Sequence, residues 1–355
     1  MSAAGQPLQS VSPYRPAVPE STVVSPFEIE EIFPGPASGS VSLPRRQSGS
    51  SPQGLAVALI ADYSMRNDAW LPTAALVALL GDFGVTSGAA RVAISRLARR
   101  GVLESRREGR YSFYRLTEVA AVALSAGGAS IAEFGAGSDS WDGLWTFVTF
   151  SMPNQETTLR SALRVRLRWW GYAPLYDGVW VSPQPLAGDD RAELAAVAAG
   201  AITVVRAQHV HLDAAVDRRP VEAWDLRAIA GQYNDFIRRW RQLLPRIAAG
   251  AVTGAKAVRA RTEVMDTYRR FPTMDPLLPV ELLPSGWPRA RAREVFLAVY
   301  DGLAEPAQQH VRAVVAAVDD GPHLDIRAHT VGEIHAGIRQ TAGGRRRPRT
   351  PPSPR

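Results

Sequence analysis

The stretch TSGAARVAISRLARRGVLESRREGRYSFYRLT, residues 86–117, carries the clearest local pattern in the chain. Thr86 or Ser87 can act as a helix N-cap, and Gly101 suits the position that ends a helix. The apolar residues between these ends recur at helical spacing, which predicts one buried helix face. These apolar residues are Ala90, Ala93, Ile94, Leu97 and Ala98. After Gly101, two short alternating runs flank the turn-like sequence Arg107-Glu108-Gly109-Arg110, which predicts a β-hairpin.

Two more helices are predicted before this stretch. The sequence LAVALIADYSM, residues 55–65, is largely apolar, and Pro72 suits the first turn of a second helix. Gly84 then makes the turn into the arginine-rich helix. The order helix, helix, turn, helix and hairpin is typical of a winged helix-turn-helix, in which the helix after the turn lies in the DNA major groove. The sequence therefore predicts a winged helix-turn-helix DNA-binding domain over residues 54–135.

Two structural details of this domain are also predicted. Because side chains alternate along a strand, we expect Tyr114 and Leu116 to face the core, and Tyr111 and Phe113 to face the other side. We expect the helix that follows the hairpin to break at the adjacent glycines Gly127-Gly128.

Arginine dominates the charged residues of this domain. Residues 87–115 contain eight arginines and only two acidic residues. A solvated basic helix beside an ordinary hairpin would have the same composition. The N-cap, the apolar face, the glycine stop and the hairpin occur here in order, however, and together they favour DNA binding. The predicted DNA-binding residues are Ser87, Arg91, Ser95, Arg96, Arg99, Arg106, Arg107 and Arg110.

The composition limits the class of protein. At 355 residues, the chain has room for two or three domains. The net charge of +7 and the pI near 10.1 favour a polyanionic partner. The chain contains no cysteine, which excludes disulfides and thiolate metal ligands. Since it has neither a signal-peptide pattern nor an apolar run close to a membrane span, we expect a cytoplasmic protein with no membrane partner.

Both ends of the chain have the composition of disordered segments. Residues 1–53 contain nine prolines and few large apolar residues. Such a segment cannot bury enough surface to offset the entropy of ordering, so we expect a disordered extension. Residues 341–355 are predicted to be a basic, disordered tail that adds non-specific attraction to phosphates.

Residues 141–215 show a different pattern of elements. WTFVTF predicts a strand, QETTLRSALRVRLRWWG a helix, YAPLYDGVWVSP two short strands, DDRAELAAVAAG a helix and AITVVRAQHV a last strand. The order β-α-β-β-α-β is that of the ferredoxin-like fold. Five of the nine tryptophans lie in this segment, and core packing is favoured over a ligand cage as their role.

Residues 221–320 are predicted to form a helical C-terminal domain. Between residues 224 and 244 the apolar residues alternate steps of three and four, so this helix packs either within its own domain or against a partner subunit. AVRARTEVMDTYRRF predicts a second helix, DPLLPVELLPSGWP an extended connector, and residues 290–318 two helices divided near Pro306. The predicted fold class is thus α+β and multidomain, with a winged helix-turn-helix, a ferredoxin-like βαββαβ domain and a helical C-terminal domain.

Together these motifs resemble the PaaX family of bacterial regulators, named for repressors of phenylacetic acid degradation. The resemblance covers about residues 54–320 and rests on VAISRLARRGVL, the REGRYSFYRLT wing, LRWWGYAPLYDGVWVSP, AWDLRAIAGQYNDF and FPTMDPLLPVELLPSGWP. The first motif is common among winged helices, whereas the last three in this order are specific. The proline-rich extension and the arginine-rich tail depart from the usual pattern of the family.

The resemblance implies a homodimeric regulator, a repressor that binds double-stranded operator DNA and is released by a small-molecule effector. In the namesake repressors the effector is phenylacetyl-coenzyme A, but no motif names the effector of this chain, and another aryl- or acyl-coenzyme A fits equally. We expect the helix 224–244 and the middle domain to form the dimer interface.

An acyl-coenzyme A effector requires cations beside aromatic rings. Arg164 and Arg168 share a helix face by their spacing, and aromatic residues follow them closely. A solvated arginine face beside a tryptophan core is an equally good interpretation. The predicted ligand-binding residues are Arg164, Arg168, Trp169, Trp170, Tyr172 and Trp180.

No enzyme motif is evident, since GxSxG, Walker and dinucleotide-binding patterns are lacking. We therefore predict no catalytic residue and no cofactor. The histidines and acids of residues 323–335 have poor spacing for a metal and are better explained as an exposed polar terminus. His209 and His211 share one face of a predicted strand, where solvated or hydrogen-bonded histidines are common, so no metal site is predicted.

Two other functions remain as alternatives. The middle domain resembles a small CRISPR-associated nuclease family that holds a divalent metal with an aspartate at the end of the first strand. This chain has Ser151 and Met152 there, so a metal-dependent nuclease would lack its main ligand. An effector-independent DNA-binding protein is the other alternative, and it leaves the long ordered chain after the wing without a role.

Overall fold

The computed structural model describes residues 51–137, 140–152, 157–186, 191, 194–195, 201–212, 217–320 and 323–338. The extension up to residue 50, the basic tail and most of the predicted second helix of the middle domain lie outside this part. The helices are α1 (Pro52–Ser64), α2 (Thr73–Gly81), α3 (Ser87–Arg99), α4 (Glu118–Glu133), α5 (Thr157–Trp169), α6 (Leu226–Arg241), α7 (Leu244–Ala248), α8 (Gly254–Tyr268), α9 (Phe271–Met274), α10 (Arg289–Gly302), α11 (Ala304–Ala316) and α12 (Val331–His335). The strands are β1 (Leu71–Pro72), β2 (Leu103–Glu108), β3 (Tyr111–Leu116), β4 (Trp145–Ser151), β5 (Ala173–Tyr176), β6 (Val179–Ser182) and β7 (Ala201–Ala207).

The first part of the described chain folds as helices α1–α3 and an antiparallel sheet of order β1-β3-β2. The Thr86 hydroxyl accepts a hydrogen bond from the Ala89 amide at 3.3 Å, so Thr86 rather than Ser87 is the N-cap of α3. Gly101 follows the helix with a φ of +71°, as its position predicted. The strands β2 and β3 pair along their whole length, with Gly109 in the turn.

Phe113 lies on the face opposite Tyr114 and Leu116, as strand alternation predicts, but the expectation that this face is turned away from the core is wrong for Phe113. This ring is only 4% exposed, whereas Tyr111 is 43% exposed. The Arg106 guanidinium lies 5.2 Å from the centre of the Phe113 ring and covers it. Both faces of the sheet are therefore partly covered, since Tyr114 is half-buried on the opposite side.

The predicted break in the helix after the hairpin is also wrong, because α4 runs unbroken through Gly127 and Gly128. A Cβ atom at Gly128 would lie 3.0 Å from the Ile334 side chain. The glycines therefore allow close packing rather than a kink. The first helix, predicted over residues 55–65, begins earlier, at Pro52, and is capped by the Ser51 hydroxyl.

The middle segment forms an antiparallel sheet of order β5-β6-β4-β7. The strand β4 lies inside the sheet and pairs with β6 on one side and with β7 on the other. With α5 between β4 and β5, this is the strand order of the ferredoxin-like fold. The two faces carry separate apolar clusters, one around Leu163 and Trp180 and the other around Trp145.

The C-terminal helices bury the apolar face of α6. Tyr233 stacks on Phe271 with ring centres 4.1 Å apart, and Phe236 meets the same ring edge-on at 5.3 Å. Trp240 is 4% exposed one turn further along. The apolar face of α6 is thus buried within its own chain, which decides between the two alternatives for this face; a dimer interface that includes this helix stays a prediction.

One apolar cluster includes residues of α1–α4 and of the C-terminal helices. The segment 323–338 joins it, and His329 is 2% exposed with its Nε2 3.0 Å from the Ala61 carbonyl. Thr330 and Glu333 form a capping box at the start of α12. The interpretation of this segment as an exposed polar terminus is therefore wrong. No helix in the described ranges combines the length and apolar character needed to cross a membrane.

A buried ion pair connects α1 to the C-terminal helices. Fully buried Arg261 on α8 donates to the Asp62 carboxylate from Nε at 3.0 Å and from Nη2 at 3.2 Å. It also donates to the main-chain carbonyls of Tyr300 and His329, while the Tyr300 hydroxyl donates to Asp62. Burial opposes the positive charge, but the Asp62 carboxylate together with Tyr300 and Tyr63 outweighs this effect, so the pKa of Arg261 is raised.

Candidate nucleic-acid interface

The helix α3 presents a basic face to solvent. Its apolar residues are buried or half-buried, as their spacing predicted, and Ser87 is exposed in the first turn. None of the three arginines on the outer face has an ion-pair partner among the described residues, so their positive charges face solvent uncompensated. The exposed polar residues of this face are Arg91, Ser95, Arg96 and Arg99.

Two arginines of the hairpin lie over the Trp70 ring. The guanidinium carbons of Arg106 and Arg115 are 4.8 and 4.5 Å from the ring centre. Arg106 also pairs with Glu108 at 3.1 Å, and Arg115 pairs with Glu104 at 2.5 Å. Cation–π contacts of this kind hold the hairpin against the segment between α1 and α2. Arg106 is therefore engaged in positioning the hairpin.

The tip of the hairpin carries the other two predicted arginines. The Arg110 guanidinium lies 5.0 Å from the centre of the Tyr111 ring and donates to its hydroxyl at 2.8 Å. Arg107 donates from Nε to the Gly109 carbonyl at 3.4 Å. Both arginines are exposed, so the tip presents positive charge to solvent.

A cavity of about 160 Å³ lies between α1, α4 and α8. A buried space of roughly 150 Å³ is enough to hold benzene, so this cavity has the size of one ring. Its walls are mostly apolar and include Ala58, Leu124 and Met265. The two acidic residues that line it, Asp62 and Asp266, are both paired with arginines. The lining therefore suits an uncharged group, and it joins the first helix of the chain to the C-terminal helices.

The predicted ligand-binding residues of the middle segment lie around the end of α5. Arg164 pairs with exposed Asp177 at 2.6 Å. The Arg168 guanidinium is 5.5 Å from the Trp180 ring, which is 2% exposed. Trp170 and Tyr172 pack in the same apolar cluster, and the side chain of Trp169 lies outside the described part of the chain. The structure thus brings Arg168 and Trp180 together, and ligand binding by this set stays a prediction.

Family models match three successive parts of the chain. The model of the PaaX-like protein matches residues 51–120, that of the PaaX protein central Cas2-like domain residues 138–218, and that of the PaaX-like protein C-terminal domain residues 224–313. The chain is also 31% identical to the transcriptional repressor PaaX of Escherichia coli (strain K12) over 243 residues, which cover 67% of this chain and 75% of that protein. This chain belongs to the PaaX family.

A solved structure of an uncharacterized protein from Mycobacterium tuberculosis is also similar to this PaaX-family chain. The two are 24% identical and superimpose with a TM-score of 0.46, over 72% of this chain and 96% of that one.

The central Cas2-like domain of this PaaX-family protein lacks a carboxylate at the end of its first strand. The strand β4 ends at exposed Ser151, and Met152 after it is buried. Neither side chain is a ligand that a divalent metal prefers. The structure therefore places no metal-binding acid where the nuclease alternative needs one.

Sequence reasoning missed the cavity. Its walls come from positions more than 200 residues apart, such as Ala58 and Met265, and no local motif connects them. The one signal was the pair Gly127-Gly128, which lines the cavity from α4. These residues suggested a helix break in the sequence, whereas in the fold they provide space.

Proposed function

We propose that this protein is a transcriptional repressor that binds double-stranded operator DNA through a winged helix-turn-helix formed by residues 52–116. The observation that carries the proposal is the exposed arginine face of α3, which has no acidic partner among the described residues. In this arrangement α3 lies in the major groove, where its arginines contact base edges and phosphates. The PaaX relative from Escherichia coli is named as a transcriptional repressor, which supports this function.

Within the proposed complex the predicted residues have different roles. Ser87 lies in the first turn of α3, where helix N-termini bind phosphate. Arg91, Ser95, Arg96 and Arg99 face the groove. Arg107 and Arg110 at the hairpin tip contact the flanking backbone. Such a repressor acts in the cytoplasm, where bacterial operator DNA lies.

We propose that the protein is a homodimer formed through its middle domain. With the apolar face of α6 buried, the strand β7 is the best candidate, because it lies at the edge of its sheet. Val204 and Val205 on this strand are 40% and 46% exposed. An unpaired strand edge with apolar side chains is a surface that pairs readily with another chain. Two-fold symmetry then sets the operator half-sites an integral number of helical turns apart.

We propose that a small-molecule effector, phenylacetyl-coenzyme A or another aryl- or acyl-coenzyme A, releases the DNA. The cavity between α1, α4 and α8 is the favoured site for its apolar end, because α1 belongs to the DNA-binding unit. The predicted ligand-binding residues of the middle segment, from Arg164 to Trp180, form the other candidate site. A ligand that repacks α1 shifts the equilibrium between DNA-binding and non-binding conformers. The shift in free energy is no larger than the difference between the binding free energies of the ligand for these two conformers.

The DNA-binding proposal is tested by a competition assay on the protein's own promoter with Arg91→Ala and Arg96→Ala. Loss of a base contact is expected to cost about 1–3 kcal/mol and to relax specificity at one base pair, whereas loss of a phosphate contact weakens binding to all sequences alike. Arg246→Ala is the matched control, since Arg246 is exposed on α7, outside the proposed interface. If neither α3 variant differs from this control by more than twofold, the α3 interface is wrong.

The effector proposal is tested by calorimetric titration with phenylacetyl-coenzyme A, coenzyme A and phenylacetate. Binding of the thioester alone, together with release of promoter DNA, would support it. No heat from any of the three, with DNA binding intact, would refute phenylacetyl-coenzyme A as the effector and leave the DNA-binding proposal standing.

A further inference from the structure

Two histidines and one aspartate converge just after the edge strand β7. The His209 Nε2 lies 2.9 Å from Asp217 Oδ1, and the His211 Nδ1 lies 3.4 Å from Asp217 Oδ2. The two imidazole rings are 4.9 Å apart and nearly perpendicular. Each ring thus points one nitrogen at the same carboxylate, and the ligand atoms of all three residues lie within 4.8 Å of one another.

The three residues lie close together in sequence. His209 and His211 are separated by one residue just past the end of β7, in a segment without regular secondary structure, and both rings contact the Asp217 carboxylate. Asp217 approaches from the chain that returns toward the middle sheet, and its side chain is only 9% exposed. The carboxylate is therefore held in place, while His211, with its side chain 75% exposed, has room to adjust.

The separations are close to those of a metal site. Zinc binds histidine nitrogen and carboxylate oxygen at about 2.0–2.2 Å in a tetrahedral arrangement, which places neighbouring ligand atoms about 3.3 Å apart. Both nitrogen-to-carboxylate distances, 2.9 and 3.4 Å, are near this value. The two distances run to different carboxylate oxygens, and the three ligand atoms lie within 4.8 Å of one another, so the ligands must draw closer around an ion. Exposed His211 can make such a movement by rotating its side chain.

The surrounding charges do not oppose a cation. The two residues after Asp217 are arginines, but both are directed elsewhere. The Arg218 guanidinium lies 5.3 Å from the centre of the Tyr176 ring. Arg219 pairs with Glu222 at 2.8 Å. The carboxylate thus faces the two imidazoles and keeps its negative charge available.

We propose that His209, His211 and Asp217 form a binding site for a borderline transition-metal ion, and that Zn²⁺ is the ion that fits best. Imidazole and carboxylate ligands suit zinc, copper and nickel, and three protein ligands leave a fourth position for water. Binding ties the end of β7 to the segment that leads into the C-terminal helices. This site is independent of the proposed DNA and effector sites.

The test uses the full chain without an affinity tag, stripped with EDTA and then dialysed. It is titrated with zinc chloride in competition with a chromophoric zinc indicator. We expect one ion per chain, and we expect His211→Ala and Asp217→Asn each to weaken binding at least about tenfold. Zinc should also raise the melting temperature of the wild type but not of the His211→Ala variant.

His335→Ala is the matched control, because this histidine is exposed on α12, outside the cluster. It should bind zinc as the wild type does. Since His211 is exposed, its replacement leaves the fold intact, which circular dichroism checks. Equal zinc affinity in the wild type and in His211→Ala, or a stoichiometry well below one per chain, would overturn the proposal.

Discussion

Replacing Asp62 by asparagine tests how strongly α1 depends on the C-terminal helices. Asp62 accepts two guanidinium hydrogen bonds from fully buried Arg261, at 3.0 and 3.2 Å, and a third from the Tyr300 hydroxyl. Asparagine keeps one acceptor oxygen and removes the negative charge. The Arg261 cation then remains buried with only main-chain carbonyls as partners. Breaking a buried ion pair in this way costs about 3–5 kcal/mol.

The measurement is urea unfolding followed by tryptophan fluorescence, with the free energy of unfolding compared between variants. A domain is typically stable by about 5–15 kcal/mol, so the expected loss is a large share of the total. Asp235→Asn is the control, because the pair of Asp235 with Arg238 on α6 is about two-thirds exposed at both partners. Such an exposed pair contributes about 0–1 kcal/mol.

A double variant guards against the case in which Asp62→Asn does not fold. Adding Arg261→Met removes the unpaired charge, so the double variant should be more stable than Asp62→Asn alone. The reasoning is refuted if Asp62→Asn lowers the free energy of unfolding by no more than Asp235→Asn does. It is also refuted if the loss in the double variant equals the sum of the losses in its two single variants.

Three further outcomes are expected. Ala58→Phe fills the cavity of about 160 Å³ and should abolish effector-induced release of DNA in a mobility-shift assay, while DNA affinity stays within twofold. Burial lowers the pKa of His329 below its ordinary 6.5, so the folded state resists protonation. The free energy of unfolding should therefore fall as pH drops below about 6.5, and His329→Gln should flatten this dependence between pH 7.5 and 5.5. Val205→Lys places a charge on the exposed edge strand and should shift dimer to monomer in light scattering.

Each of these variants has a control in the same chain. Ala74→Phe adds the same bulk on an exposed face of α2 and should leave the effector response unchanged. His335→Gln alters an exposed histidine and should leave the pH dependence of stability unchanged. Val280→Lys alters a valine that is 57% exposed outside the middle sheet and should leave the dimer intact. A variant that behaves like its control contradicts the corresponding prediction.

The local elements near α3 could be predicted because their determinants are neighbours in sequence. A cap at Thr86, an apolar residue every three or four positions and a glycine with positive φ at 101 define one helix without reference to the rest of the chain. The strand order of the middle sheet followed from the order of its elements, since few arrangements of β-α-β-β-α-β are open to a chain.

Side-chain environments were predicted less well, because they depend on what covers a surface. Strand alternation placed Phe113 correctly on the face opposite Tyr114, but it did not show that Arg106 and the segment around Trp70 cover that face. Two adjacent glycines disfavour a helix by propensity, and tertiary packing against Ile334 overrides this preference in α4.

The sequence by itself determined the helix, turn and hairpin pattern of residues 86–117, the arginine face of α3 and the resemblance to one family. Only the tertiary structure decided which distant groups meet. Arg261 and Asp62 are 199 positions apart, and the walls of the cavity also come from segments far apart in sequence. Periodicity reports the face that a helix or strand buries, because that depends on spacing within the element. It carries no information about the partner of that face, which depends on how the elements pack.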